Sequence, residues 1–217
     1  MHKYKNYIFD LDGTMVNSSE EVLSCLKKSF EVAKYTIDAN RLTSDVIGPP
    51  LKQIIQMITP ELVDESKINE IMQNFRRIYD HDDKDISFMY DGVYNLISDL
   101  KSQGCKIFMA TFKPSIPTMR LVYKFNLDTL FDDIYTIDKF GKKISKEEMI
   151  SSIILKYNLE KKQTVMIGDA STDMVAAKGA GVDGIGVLWG YGSNKNALIE
   201  NANYIVKDVK ELRECLK

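Results

Sequence analysis

The chain has 217 residues, of which 44% are apolar and 28% charged, a composition typical of globular proteins. A formal net charge of −2 argues against binding to a nucleic acid polymer. No apolar run approaches the length of a membrane span or a signal peptide. Three scattered cysteines do not form a disulfide framework. These features predict a cytoplasmic protein with no membrane and no nucleic acid polymer as partner.

Short apolar runs predict six buried strands, at residues 7–9, 106–110, 134–137, 164–167, 184–188 and 204–206. Segments with helical periodicity lie between most of them. Examples are residues 93–100, closed by Gly104, residues 149–157, and residues 174–177, ending at Gly179. This alternation predicts an α/β fold, a Rossmann-like three-layer core with a parallel sheet and helices on both faces.

About ninety residues separate the first two strands, far more than a crossover between parallel strands needs. The insert begins with a predicted helix, since Ser18 and Glu21 have the spacing of a capping box. Further helices are predicted at residues 51–58 and 62–79. We therefore predict a helical cap domain at residues 16–86, inserted into a core domain of residues 1–15 and 87–217. Inserts at this point lie over the carboxyl ends of the strands, so the cap is a candidate lid.

Acidic residues follow two of the predicted strands. Asp10 and Asp12 come after the first strand, and Asp169 follows the fourth, with Asp173 four residues later. If these strands are parallel neighbours, the carboxylates converge at one sheet edge, where like charges raise one another's pKa. A Mg²⁺ ion with oxygen ligands resolves this repulsion. The alternative for each single Asp is a helix cap or a turn, but two clusters at strand ends favour the metal site.

Two further residues point to an anion. Thr111 ends the second strand, where a hydroxyl beside free backbone N–H groups can hold an anionic oxygen. Lys146 follows Ser145, the first residue of another capping box, and so opens a helix against its dipole, at a cost of about 0.3–1 kcal/mol. An anion in front of this helix would offset that cost. The alternatives are an ordinary strand-end threonine and a solvated lysine in a basic stretch that includes Lys142 and Lys143.

In chain order, these motifs resemble those of the haloacid dehalogenase-like superfamily, and in particular its members with a helical cap. The chain carries a DxDGT motif at residues 10–14, Thr111 at the second strand end, Lys146 opening a helix, and a GDxxxD motif at residues 168–173. The first and last motifs are specific, and the other two gain weight from order and spacing. The resemblance covers nearly the whole chain.

The resemblance implies catalytic and phosphate-binding roles. Asp10 would be the nucleophile that forms an aspartyl-phosphate, and Asp12 would protonate the leaving oxygen and then activate water. Thr111, Phe112 and Lys146 would bind the phosphoryl group. Phe112 departs from the family, whose members usually carry a small polar residue there.

The resemblance also implies the metal ligands. Asp10, Asp169 and the backbone carbonyl of Asp12 would hold Mg²⁺, and Asp173 would assist directly or through water. An acid at position 12 points to phosphate esters, because the dehalogenases of the superfamily lack it.

Two segments are similar to those of phosphoglycolate phosphatase-like and 5′-nucleotidase-like members, namely residues 46–51 (VIGPPL) and 188–193 (LWGYGS). The similarity implies a phosphatase acting on a small phosphorylated metabolite, with phosphoglycolate, a nucleotide and a sugar phosphate all open. The alternative is a sugar phosphomutase (β-phosphoglucomutase-like), although such members tend to carry a basic residue in the first segment. A non-enzymatic phospho-acceptor is disfavoured by the insert and by Asp12. Oligomeric state stays open.

Three features are set aside. The GxGxxG pattern at residues 179–184 follows a helix and precedes a strand, the reverse of a dinucleotide site. The acidic run at residues 80–85, with His81, is interpreted as a solvated hinge, and His2 as a surface residue. Arg76 and Arg77 are assigned to a solvated helix face.

Overall fold

The computed structural model describes residues 3–59, 63–81, 86–141, 144–192 and 194–217. The predicted features at His2, Leu62, residues 82–85, Lys142, Lys143 and Ser193 lie outside these ranges. The chain divides into two compact units, Met1–Asn17 with Met89–Lys217, and Ser18–Phe88. That the second unit works as a cap domain stays a prediction.

The strands of the described ranges are β1 (Asn6–Phe9), β2 (Val16–Asn17), β3 (Phe88–Met89), β4 (Lys106–Ala110), β5 (Asp133–Tyr135), β6 (Thr164–Gly168), β7 (Asp183–Val187) and β8 (Tyr204–Val206). The helices are α1 (Ser19–Val32), α2 (Leu51–Ile58), α3 (Glu65–Asp80), α4 (Val93–Ser102), α5 (Ser115–Lys124), α6 (Lys146–Tyr157), α7 (Ser171–Ala180), α8 (Lys195–Asn201) and α9 (Val209–Cys215). None of these helices is long and apolar enough to cross a membrane.

Six strands of the first unit form one parallel sheet in the order β5-β4-β1-β6-β7-β8. The central strand β1 pairs with β4 on one side and with β6 on the other, and Phe9 lies level with both Met109 and Ile167. This register brings the carboxyl ends of the three strands to one edge. The predicted α/β class with a parallel sheet is confirmed.

Two apolar clusters, one on each face of the sheet, explain why the central strands read as unbroken apolar runs. Successive residues of β1 alternate between them: Tyr7 and Phe9 belong to one cluster, and Ile8 belongs to the other. Helices α4, α5 and α9 pack on the first face, and α6, α7 and α8 on the second. The core therefore has three layers, as predicted.

The second unit is helical. α1 and α3 pack together through apolar faces that include Leu26, Phe30, Ile71 and Phe75. α2 adds a short amphipathic helix against α3 and buries Ile55. The predicted helices are present, with α3 beginning at Glu65.

Several local predictions are wrong. Ser18 makes no side-chain cap bond, because its backbone is not in the extended conformation that aims the hydroxyl at the helix. The carboxylate of Glu21 is buried and accepts a hydrogen bond from Ser87 instead. Gly104, by contrast, closes α4 as predicted: it follows the C-cap residue Gln103 with a φ of +78°, and its N–H donates to the Lys101 carbonyl.

Gly179 does not end α7, which continues to Ala180 and is closed by Gly181 in the left-handed conformation. Gly179 is needed inside the helix, since a Cβ there would lie 2.4 Å from a carboxylate oxygen of Glu147 on α6. Strand β5, which was predicted to run to residue 137, ends two residues earlier, at Tyr135. Directly after the strand, the Thr136 hydroxyl donates a hydrogen bond to Asp138 Oδ1 at 2.7 Å.

Candidate active site

Three buried aspartates converge at the carboxyl edge of the sheet. Asp10 follows β1, Asp169 follows the neighbouring strand β6, and Asp173 lies in the first turn of α7. One carboxylate oxygen from each lies within 4.8 Å of the others. The sequence predicted that these residues and Asp12 converge if the two strands are parallel neighbours, and the pairing of β1 with β6 meets that condition.

Lys146 supplies the buried cation of this aspartate cluster. Its Nζ donates to Asp10 Oδ1 at 2.7 Å and to Asp173 Oδ1 at 2.5 Å. It is the first residue of α6, and the predicted capping box of Ser145 and Glu148 anchors this helix end. The helix therefore holds the lysine between two carboxylates that belong to different elements.

The cluster perturbs its own ionisation. Burial raises the pKa of Asp10 well above its usual value, Asp173 and Asp169 add to the increase, and Lys146 offsets only part of it. Burial and the neighbouring Asp173 raise the pKa of Asp169 to about 7, against the lowering effect of the Gly192 N–H. Burial alone would lower the pKa of Lys146, but Asp10 and Asp173 raise it above its usual value. Lys195 also lowers the pKa of Asp169, but two ammonium groups against three carboxylates still leave an excess of negative charge.

Glycines allow the backbone to close around Asp169. Gly13 has a φ of +79°, and a Cβ there would lie 2.1 Å from Asp169 Oδ2. A Cβ at Gly190 would lie 2.4 Å from the same oxygen. The Gly192 N–H donates to it at 2.8 Å, and the Thr14 hydroxyl contacts Oδ1 at 3.4 Å. Asp169 therefore has a fixed orientation.

Asp12 is not part of the aspartate cluster found among the described residues. Both of its carboxylate oxygens accept from Lys113 Nζ, at 2.9 and 3.1 Å. Sequence reasoning did not single out Lys113. The available signal was its position two residues beyond Thr111, in the loop after β4, because this loop leaves the same sheet edge as the acids.

Thr111 and Phe112 lie in the loop after β4, on the opposite side of β1 from β6. Thr111 is buried, and its hydroxyl accepts from the Lys113 N–H at 3.1 Å. The ring of Phe112 is half-buried, and Lys146 Nζ lies 5.2 Å from its centroid. Phe112 thus contacts the cation of the aspartate cluster through its aromatic face. Arg76 and Arg77, on α3, are exposed.

Fold and site together define an α/β protein with a buried acidic cluster and a buried lysine at the carboxyl ends of its central strands. A family model described as "Haloacid dehalogenase-like hydrolase" matches residues 7–187. The chain therefore belongs to the haloacid dehalogenase-like hydrolase family, as its motifs predicted.

Relatives and solved structures agree with this assignment. The chain is 29% identical to a 5′-nucleotidase of Pseudomonas aeruginosa over 99% of its own length and 96% of the relative's. It is 30% identical to the pyrophosphatase PpaX of Halalkalibacterium halodurans, over 81% of this chain and 79% of that protein. A crystal structure of a predicted phosphatase from Clostridium acetobutylicum superposes with a TM-score of 0.85 at 29% identity, covering 97% of both chains. The predicted enzyme class, a phosphatase of this family, is confirmed.

Proposed function

We propose that this enzyme hydrolyses a small phosphate monoester with the help of Mg²⁺, through an aspartyl-phosphate on Asp10. The observation that carries the proposal is the arrangement of its two neighbouring acids. Asp10 lies in the buried cluster against Lys146, whereas Asp12, two residues later, has a separate partner. Two acids in different surroundings suit two different roles, nucleophile and proton carrier.

The aspartate cluster fits a magnesium ion. Asp10, Asp169 and Asp173 offer hard oxygen ligands, and the raised pKa values of Asp10 and Asp169 reflect the charge that a dication would neutralise. Together with the backbone carbonyl of Asp12, these residues would hold the metal. When bound, Mg²⁺ would supply positive charge to the phosphoryl oxygens. This matters because a carboxylate about 4 Å from a phosphate charge meets roughly 4 kcal/mol of repulsion at an effective dielectric of 20.

The chain's own residues carry the proposed reaction. An Asp10 oxygen attacks phosphorus, the bond to the leaving oxygen breaks, and Asp12 donates a proton to that oxygen. Water then attacks phosphorus, Asp12 takes the water's proton, and Asp10 is released as a carboxylate. Thr111, Phe112 and Lys146 bind the phosphoryl group, and the ammonium of Lys146 stabilises the charge that builds up on it.

Gly13→Ala is expected to weaken both the fold and the metal site. Its Cβ would meet Asp169 Oδ2, and alanine is strained at a φ of +79°. Gly104→Ala is the matched control, since Gly104 has a φ of +78° and nothing within 4 Å of an added Cβ. The control should lose about 1–2 kcal/mol of unfolding free energy from backbone strain alone. Gly13→Ala should lose clearly more in urea unfolding and bind Mg²⁺ at least about tenfold more weakly. Equal losses in the two variants would contradict this account of Asp169.

The substrate class rests on the relatives and on the two similar segments of the sequence. Phosphoglycolate-like and nucleotide-like monoesters are the leading candidates. Cys25, Cys105 and Cys215 form no disulfide with one another, which suits a reducing compartment, and we place the enzyme in the cytoplasm.

Release of inorganic phosphate tests the proposal directly. The purified enzyme is assayed with Mg²⁺ against phosphoglycolate, nucleoside 5′-monophosphates, sugar phosphates and pyrophosphate. We expect one monoester group to be hydrolysed at least about tenfold faster than the rest, and activity to vanish with EDTA and return with Mg²⁺. Isomerisation of a sugar phosphate without net phosphate release would instead establish the mutase alternative. Activity unaffected by EDTA would refute the role of the metal.

A further inference from the structure

The ion pair between Lys113 and Asp12 has no role in the reaction as proposed so far. Lys113 Nζ lies 2.9 Å from one oxygen of Asp12 and 3.1 Å from the other, so a single ammonium holds both. The Lys113 side chain is only 5% exposed, and that of Asp12 is 22% exposed. A buried lysine is costly unless it is paired, which makes this contact a specific feature of the loop after β4.

Both partners are fixed by their backbones. Lys113 is held by its N–H bond to Thr111 Oγ1 at 3.1 Å, next to the start of α5. Asp12 lies in a tight turn in which the Gly13 N–H donates to the Val16 carbonyl at 2.8 Å. The two loops leave the neighbouring parallel strands β4 and β1, so the ion pair connects two strand ends of one sheet.

Each of the two acids of the first motif is paired with a different buried lysine. Lys146 holds Asp10 inside the aspartate cluster, while Lys113 holds Asp12 outside it. Removal of Lys113 would take away the ammonium that holds both oxygens of the partly exposed Asp12 side chain, so the carboxylate would be less firmly held in this rotamer. A proton carrier must lie within hydrogen-bond reach of the reacting oxygen, so loss of this restraint would reduce its efficiency.

We propose that Lys113 is a positioning residue, which fixes the Asp12 carboxylate as the base that serves hydrolysis of the aspartyl-phosphate. In that step the water oxygen bonds to phosphorus as the bond from phosphorus to Asp10 breaks. Asp12 accepts the water's proton, Asp10 leaves as a carboxylate, and inorganic phosphate is released. The proton on Asp12 then serves the leaving oxygen of the next substrate. This inference rests on the proposed function.

The test follows the two half-reactions separately by rapid mixing with p-nitrophenyl phosphate and Mg²⁺. This substrate has a good leaving group, so formation of the phosphoenzyme needs little help from an acid. We expect Lys113→Met to release about one equivalent of p-nitrophenolate in a fast burst, and then to turn over some 10–100-fold more slowly than wild type. Asp12→Asn should show the same burst with turnover at least as slow. Lys113→Arg, which restores a cation, should recover turnover to within about fivefold of wild type.

A double-mutant cycle separates positioning from a general loss of structure. Because Lys113 acts through Asp12, the variant carrying both Lys113→Met and Asp12→Asn should be no slower than Asp12→Asn alone. Lys101→Met is the matched control. It breaks a 2.9 Å ion pair with Asp132 that involves none of the site residues, and it should leave turnover within about twofold of wild type.

Three outcomes would overturn the inference: wild-type turnover in Lys113→Met, slow turnover without a burst, or effects that multiply in the double variant. If Lys113→Met does not fold, Lys113→Gln takes its place under the same criteria. Failure of the proposed function is distinguishable, because it would show as turnover in Asp10→Asn, whatever the Lys113 variants do.

Discussion

Replacing Asp10 by Asn is expected to abolish phosphatase activity while the protein stays folded. The change removes the nucleophilic oxygen charge, and we expect turnover of p-nitrophenyl phosphate to fall by 10⁴-fold or more, on the order found for the loss of a nucleophile. The fold should survive, since Asn has the same size and Lys146 keeps its bond to Asp173. Burial and two neighbouring carboxylates already disfavour the charge on Asp10, so the thermal midpoint without metal should be unchanged or higher.

Asp99→Asn is the control for this experiment. Asp99 pairs with Arg213 at 2.6 Å in a half-exposed ion pair that involves none of the site residues. Its loss should leave both turnover and the thermal midpoint nearly unchanged. If Asp10→Asn turned over substrate at a rate near that of wild type, covalent catalysis through Asp10 would be excluded, and with it the proposed mechanism.

Lys146→Met should lower both stability and activity, and its effect on stability should depend on pH. Removal of Lys146 deprives the buried Asp10 and Asp173 of the ammonium that pairs with both, which at pH 8 and without metal should cost about 3–5 kcal/mol of unfolding free energy. Turnover should fall at least about 100-fold, because the ammonium would no longer stabilise the transferring phosphoryl group. The measurements are urea unfolding at pH 8 and pH 5.5, and steady-state kinetics.

The sign of the pH effect follows from the raised pKa values. The folded state keeps protons on Asp10 and Asp169 that the unfolded chain releases near pH 4, so these groups favour folding at low pH. That contribution is lost as pH rises through the folded-state pKa, which for Asp169 is about 7. Without Lys146 both values rise further. The variant should therefore recover part of its stability at pH 5.5, and at pH 8 on addition of millimolar Mg²⁺.

Lys156→Met is the matched control for Lys146→Met. Lys156 lies on the same helix and also pairs with an aspartate, Asp133, at 2.8 Å, but its side chain is 56% exposed. We expect a small stability change with no effect of Mg²⁺ and no loss of activity. A Lys146→Met variant as stable as this control at pH 8 would show that the aspartate cluster does not need the buried cation.

Motif order and spacing were sufficient to predict the family, the three-layer core and the site at the strand ends. The reason is that strands buried on both faces leave unbroken apolar runs, and a polar residue directly after such a run must lie at the sheet edge. Asp10, Thr111 and Asp169 are all of this kind. The capping box at Ser145 could also be predicted from the sequence, because its two hydrogen bonds join residues only three positions apart.

Local signals misled where a distant residue competes with the local partner. The spacing of Ser18 and Glu21 is that of a capping box, but Glu21 bonds to Ser87, 66 residues away. A glycine such as Gly179 is typical of a helix end, yet here it lies inside α7 and provides space for Glu147 of the adjacent helix. In both cases tertiary packing overrides a local preference of about 1 kcal/mol.

The sequence by itself determined the fold class and the family, and it supplied the acids of the candidate site, since these depend on residue type and on position along strands and helices. Only the tertiary structure decided which charges meet. In the folded chain Lys146 lies between Asp10 and Asp173, and Asp12 forms an ion pair with Lys113, 101 residues away in the sequence. These pairings depend on the order of strands in the sheet, because β4, β1 and β6 are neighbours in space although they are far apart in sequence.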